Sequence, residues 1–251
     1  MNIIFGNYGD STLALIQWAK NNNISNLAVI NIETGWGSPS WALHVNAGKA
    51  LAEGYGFATK TLTAPESMEA LVRERGEFPS VQFQWCPGLL KGLPFLLWLD
   101  EVDPQCEATI ILGGSLGSQP KLPLDSEWVE ESEHYGDRAV RYPLYQHSTE
   151  QIIQLIQLTG LTPSLTRSLE CNPCIHSTPT ELGPLPTEDL AKIQRLEEAV
   201  GNPMFPDFCT KNPEAVKIPS SQTTTFDMGC GSPYSCGDLI THQRTNKEPS
   251  S

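Results

Sequence analysis

Four short aliphatic runs, separated by stretches of helical periodicity, constrain most strongly what this chain can fold into. Residues 2–5, 26–32 (NLAVINI), 57–62 and 108–112 (ATIIL) are strand-length and rich in aliphatic and β-branched side chains. Between them, residues 13–19, 41–51, 66–75 and 89–99 place apolar residues and good helix formers at helical spacing. Strands that alternate with helices imply βαβ units. The expected fold is therefore α/β, a doubly wound, mostly parallel sheet. Further on, Ser148-Thr149-Glu150-Gln151 fits a capping box that opens a helix over 152–158, with Gly160 ending it. Another helix is predicted over 188–200, after Pro184 and Pro186. The acidic stretch 125–137, with Glu127, Glu130, Glu131 and Glu133, reads as a solvated helix or loop. From Asn202 onward Pro, Ser, Thr and Asn dominate and apolar periodicity fades, which predicts an irregular C-terminal region.

Composition narrows the function classes. The 251 residues are 39% hydrophobic and 18% charged, enough for a real core. No apolar run approaches the roughly 20 residues of a membrane helix, and the first six residues have no basic n-region. A cytoplasmic, membrane-independent protein is the expectation. Sixteen basic against twenty-nine acidic residues give a net charge of -13, which disfavours nucleic acid as a broadly contacted partner. The seven cysteines are an odd number without an export signal, so metal binding or redox chemistry is expected in preference to a disulfide scaffold.

The first strand runs into Gly6-Asn7-Tyr8-Gly9-Asp10-Ser11-Thr12 and then a helix. Small residues in such a turn let backbone N–H groups crowd around an anion, and the helix N-terminus adds its positive dipole end. The loop is neither a Walker A sequence nor the dinucleotide G-x-G-x-x-G pattern. Ile32-Glu33-Thr34-Gly35-Trp36 follows the second strand, Trp85-Cys86 precedes Lys91 and Pro94, Tyr142-Pro143-Leu144 precedes the capped helix, and Cys171-Asn172-Pro173-Cys174 follows it. In this order the motifs resemble the PP-loop, or adenine-nucleotide alpha-hydrolase-like, superfamily and its phosphoadenosine-phosphosulfate (PAPS) reductase-like branch. Gly6, Asn7 and Tyr8 stand where that family usually has Ser-Gly-Gly, and 113–121 lacks most of its charged residues, leaving Lys121.

The resemblance implies a Rossmann-like PP-loop domain over 1–165 and a cysteine-bearing metal or cluster region over 166–251. It implies an adenine nucleotide, ATP or a sulfonucleotide with Mg2+, at Gly6, Gly9, Asp10, Ser11, Glu33, Thr34 and Gly35. Lys91 would neutralise developing charge, and Cys236 is the candidate nucleophile near the C-terminus. A thiol or electron-donor protein would be the partner of a reductase.

The residues themselves leave the cysteine chemistry open. Cys-x-x-Cys points two thiolates at one ion, or forms a redox dithiol. A closed site needs four ligands, so Cys230 and Cys236 join Cys171 and Cys174 as candidates, and the resemblance adds a rival set of Cys86, Cys171, Cys174 and one of the two later cysteines. Thiolates suit zinc and iron–sulfur clusters alike, and the resemblance favours a [4Fe–4S] cluster. Cys106 and Cys209 read as ordinary thiols, His44 and His176 as helix-face and surface residues. Trp36, Trp41 and Trp85 are either core or an aromatic wall for an adenine ring. Two functions compete: an enzyme of sulfur chemistry, by sulfonucleotide reduction or adenylation-linked sulfur transfer, and a non-catalytic nucleotide- or cluster-binding protein.

Overall fold

The computed structural model describes residues 1–80, 83–114, 127–165 and 167–206. The central strand β1 (Asn2–Phe5) pairs in parallel with β2 (Leu27–Glu33) on one side and β4 (Thr109–Ile111) on the other. β3 (Ala58–Thr63) extends the sheet beyond β2. β6 (Arg138–Arg141) continues it in parallel beyond β4, and β5 (Trp128–Ser132) closes the edge antiparallel to β6. The order is β3-β2-β1-β4-β6-β5, so the sheet reverses its direction of growth at β1 and β4. In doubly wound sheets such a switch point opens a crevice at the carboxyl ends of the strands. The expected α/β class and doubly wound, mostly parallel sheet are what the structure has.

Strand alternation assigns the two faces. Ile4 and Val29 point to one side, where they meet Leu13, Ala14 and Ile16 of α1 (Asp10–Asn21) and Ile152 and Ile156 of α5 (Thr149–Leu158). Ile3 and Ile30 point to the other, against Phe95, Trp98 and Leu99 of α4 (Leu93–Val102). Successive side chains of a strand face opposite ways, so a central strand covered on both faces must be apolar throughout. α2 (Pro39–Gly54) contributes Ala52 to the first layer.

A third apolar cluster lies beyond the carboxyl ends of β2 and β3. It joins Trp36, Ala64 and Met68, Leu71 and Val72 of α3 (Met68–Arg75) to Leu182 of α6 (Pro179–Leu182) and to Ile193 and Leu196 of α7 (Thr187–Val200). Met204 and Phe205 are buried in the same cluster, so the chain past Asn202 still packs where composition alone suggested an irregular segment.

Three elements differ from the sequence expectation. The acidic stretch is strand at 128–132, because Val129 pairs with Val140 and the Arg141 guanidinium lies between the Trp18 and Trp128 rings at 4.7 and 5.0 Å. Its exposed glutamates give the sheet a charged edge, which resists pairing with other chains. The helix expected over 89–99 opens instead as a π-turn, Gly88–Gly92, before α4. Pro94 has no N–H to donate back into that turn. The helix expected from Glu66 starts at Met68, where the Ser67 hydroxyl caps the Ala70 N–H. No helix among the described residues is long and apolar enough to cross a membrane.

Candidate functional site

The loop after β1 is buried and held largely by its own side chains. Asn7 Oδ1 accepts the Gly9 N–H at 2.8 Å, and the Gly6 N–H donates to the Ile30 carbonyl at 3.0 Å. A Cβ on Gly6 would stand 2.2 Å from Thr12 Oγ1, and one on Gly113, just past β4, 2.7 Å from Ser11 Cβ. Glycine is required at both, because strand ends and the first turn of α1 approach so closely at the switch point. Tyr8 adopts a left-handed backbone at φ 62 and is fully buried. Burial, with the Glu53 charge behind it, pushes its phenol well above the usual tyrosine range. Asp10, in the first turn of α1, has both carboxylate oxygens engaged. Oδ1 accepts the Ser164 N–H at 2.9 Å and its hydroxyl at 3.2 Å, and Oδ2 accepts the Leu165 N–H at 2.8 Å.

The segment after β2 is laced to the Cys-x-x-Cys. Thr34 Oγ1 donates to the Glu170 carbonyl at 2.7 Å, and the Asn172 N–H donates to the Trp36 carbonyl at 2.8 Å. Trp36 Nε1 donates to the Pro173 carbonyl at 2.9 Å, and the Ser38 N–H to Leu169 at 2.8 Å. Gly35 turns at φ 67, with its N–H on Glu33 Oε1 at 3.2 Å. The Cys171 sulfur lies 3.8 Å from Thr34 Oγ1. On the far face of Trp36, Lys192 Nζ sits 3.6 Å from the ring centroid. Burial lowers the Lys192 pKa against the opposing pull of Asp189 and Glu69.

Lys91, on the π-turn, forms a buried ion pair with Glu170, and Asn7 Nδ2 donates to the same Glu170 oxygen at 3.2 Å. One residue thus links the loops after β1 and β2 to the π-turn. Directly beside it opens a pocket of about 400 Å³, including its solvent mouth. Cys86, Cys171, Cys174 and Lys91 line it, with Trp36 and Leu90 among its apolar walls. Trp85 belongs to the same apolar cluster, whereas Trp41 stacks on His44 at 4.5 Å. Cys86 and Cys171, 85 positions apart in the chain, converge here, since the segment leading into the π-turn brings Cys86 to the pocket that the Cys-x-x-Cys also lines.

An Arg167 nitrogen lies 3.9 Å from the Cys174 sulfur, the kind of cationic neighbour that favours a thiolate. Ser177 Oγ accepts the Cys174 N–H at 3.1 Å. His176 is half-buried, and burial together with Arg167 lowers its pKa. The pocket's lining includes three cysteines, whose soft sulfurs are donors of the type that thiophilic metals take. Among the described residues, however, no three His, Cys, Asp or Glu side chains are gathered tightly enough to hold one. Cys230 and Cys236, like Cys209 and Lys121, lie outside the described residues. Cys106 is exposed on the loop after α4, away from this pocket.

Of the expected site residues, the structure brings Thr34, Lys91, Cys86, Cys171 and Cys174 together, while the Asp10 carboxylate is turned to the 164–165 backbone. Glu170 and Asn7 were not among the expected residues. The only local signal for Glu170 is its place beside Cys171, since its partners come from distant loops.

No protein-family model matches the sequence, and no curated protein matches it either. Solved structures do. The chain is similar to the phosphoadenylyl-sulfate (PAPS) reductase from Candida auris, solved as a phosphate complex, at 15% identity and a TM-score of 0.46, over 64% of this chain and 74% of that one. It is also similar to the U34-tRNA thiolase NcsA from Methanococcus maripaludis, solved with its [4Fe-4S] cluster, at 14% identity and a TM-score of 0.47. That alignment covers 78% of this chain and 65% of the thiolase.

Proposed function

We propose that the protein is a cytoplasmic enzyme of sulfur chemistry, which binds an adenine nucleotide at the 6–12 loop and acts through the adjoining cysteine pocket. One observation carries this reading. The Lys91–Glu170–Asn7 contact joins the loop at the β1/β4 switch point to a pocket lined by Cys86, Cys171 and Cys174. An oxyanion held at the N-terminus of α1 would meet the positive end of the helix dipole, and the Lys91 ammonium is tied to the same loop through Glu170 and Asn7. Trp36 and Leu90 shield the pocket from water on its apolar side. A [4Fe–4S] cluster, or zinc, would need Cys86, Cys171 and Cys174 to draw closer together than they stand here, with Cys230 or Cys236 as fourth donor. A cluster would supply electrons or carry sulfur there. On this reading 1–165 is the nucleotide domain and 166–251 the metal region, with a sulfonucleotide or ATP as substrate and a thiol or electron-donor protein as partner.

A second reading is a non-catalytic binding protein. It is favoured by the occupied state of the loop, where Asn7 caps Gly9 and Asp10 caps Ser164 and Leu165. Two measurements on anaerobically purified protein separate the readings. The enzyme reading expects a brown protein with iron and acid-labile sulfide in near-equal amounts, bleached by serine at 86, 171 or 174. It also expects turnover of ATP or adenosine 5′-phosphosulfate once the nucleotide is bound. Zinc without sulfide makes the centre structural, and colourless, metal-free but folded protein removes ligation. Binding without turnover selects the second reading, and no nucleotide binding at all defeats both.

A further inference from the structure

The loop after β1 already holds an anion, and it is the chain's own. The Glu170 carboxylate accepts from Asn7 Nδ2 at 3.2 Å and pairs with Lys91 Nζ, both charged side chains being 7% exposed. Buried ions persist only when each finds a partner and its remaining donors and acceptors are met. Here the partners come from the loop after β1 and from the π-turn, two segments about 80 residues apart in the chain. The same residue's carbonyl accepts from Thr34 Oγ1 at 2.7 Å, and the next residue is Cys171.

We propose that Lys91 and Asn7 form an oxyanion site, that Glu170 is its internal occupant, and that the phosphate or sulfate group of a nucleotide takes Glu170's place. Two anions cannot share one buried ammonium without strong repulsion, so the incoming oxyanion and the carboxylate compete. A displaced Glu170 carries its backbone with it, which loosens the Thr34–Glu170 bond and repositions Cys171 beside the pocket. Occupancy of the nucleotide loop is thereby transmitted to the cysteines. Glu170 is a positioning residue, acting through Lys91 and Cys171. This rests on the nucleotide reading above and adds a gate to it.

An internal competitor scales apparent affinity by the fraction of molecules in which it has left the site free, so one that occupies nine molecules in ten weakens binding about tenfold. Inorganic pyrophosphate and ATP are titrated calorimetrically into the full-length protein and into Glu170→Gln. The variant is expected to bind pyrophosphate at least about tenfold more tightly. Equal or weaker binding by a variant that melts within a few degrees of wild type overturns the displacement. Should Glu170→Gln fail to fold, hydrogen exchange on the wild-type protein decides. Backbone amides of 169–174 are expected to exchange several-fold faster with saturating ATP, and unchanged protection overturns the proposal. ATP bound equally by both proteins, with protection unchanged, ends the gate but leaves the nucleotide reading intact. Failure of either protein to bind ATP or pyrophosphate ends both.

Discussion

Arg138 shows what a buried charge requires. Its guanidinium is inaccessible to solvent and donates to Asp103 Oδ2 at 2.7 Å, the Asp103 carbonyl at 2.6 Å, Tyr135 O at 3.2 Å and Leu99 O at 3.3 Å. Asp103 in turn accepts the Glu107 and Ala108 N–H groups at 3.1 and 3.0 Å. Burial opposes ionisation of Asp103, yet the Arg138 hydrogen bond and these two N–H groups together hold its carboxyl below the usual range. A carboxyl depressed in the folded state stabilises fully above its unfolded value, about 3.9. That stability is lost as pH falls through the lower folded value. Asp103→Asn is therefore expected to cost about 3 kcal/mol at pH 7, because it leaves the buried guanidinium only backbone carbonyls and the exposed Asp100 carboxylate at 3.6 Å. Urea unfolding should show the deficit shrinking below about pH 4, where the carboxyl protonates first in the unfolded chain and, at lower pH, in the folded one. A deficit independent of pH would mean that Asp103 acts through shape alone. None of this network is visible in sequence, since Arg138 and Asp103 sit on separate elements 35 residues apart. Lys91 is the contrasting case: its motif placed it at the site, but the Glu170 that holds it lies 79 residues away.

Elements with local signals were legible, and those assembled by pairing were not. The Ser148–Gln151 capping box forms as its spacing implies, and left-handed glycines at 76 and 201 end α3 and α7. β5 was hidden because Val129 is its one half-buried apolar residue, beside exposed Trp128, Glu130 and Glu131, and pairing with β6 and the Arg141 stack make it a strand. α1 illustrates a signal with two meanings. An Asp in the first turn after a glycine suits a phosphate-binding loop, but it equally suits a helix that fastens a neighbouring segment. In this protein Asp10 fastens the connection from α5 to the Cys-x-x-Cys, through the N–H groups of Ser164 and Leu165. Asp10→Ala would leave both N–H groups without their acceptor in a part-buried position. Each such loss costs about 1–3 kcal/mol. A thermal melt should therefore show clear destabilisation even without any ligand. Asp10→Asn keeps an acceptor and should recover part of it. An Asp10→Ala protein as stable as wild type would return Asp10 to a purely ligand-binding role.

At the scale of the molecule, three apolar clusters among the described residues divide the work, and two of them were legible. The clusters on either face of the sheet follow from strand alternation, which the sequence displays directly. The third could not be read, because α3 and α7 share it across more than a hundred residues and each helix shows only an unremarkable stripe. It has a mechanical consequence. Leu182, Ile193, Leu196, Met204 and Phe205 cover Trp36, Met68, Leu71 and Val72, and segment 167–206 also supplies Glu170 to Lys91. A chain ending at residue 165 would leave that apolar surface open and Lys91 without its carboxylate. It is expected to bind a hydrophobic dye and to lose near-ultraviolet circular dichroism. A chain ending at Pro206 keeps all three clusters, so it should unfold cooperatively with a midpoint close to that of the full chain. It also lacks Cys230 and Cys236, so any centre that needs a fourth sulfur from them should be lost while the fold survives. Retention of metal by the shorter chain would place the whole ligand set on Cys86, Cys171, Cys174 and a non-cysteine donor. Cooperative folding of the chain ending at 165 would show that the third cluster is not needed to hold the sheet together.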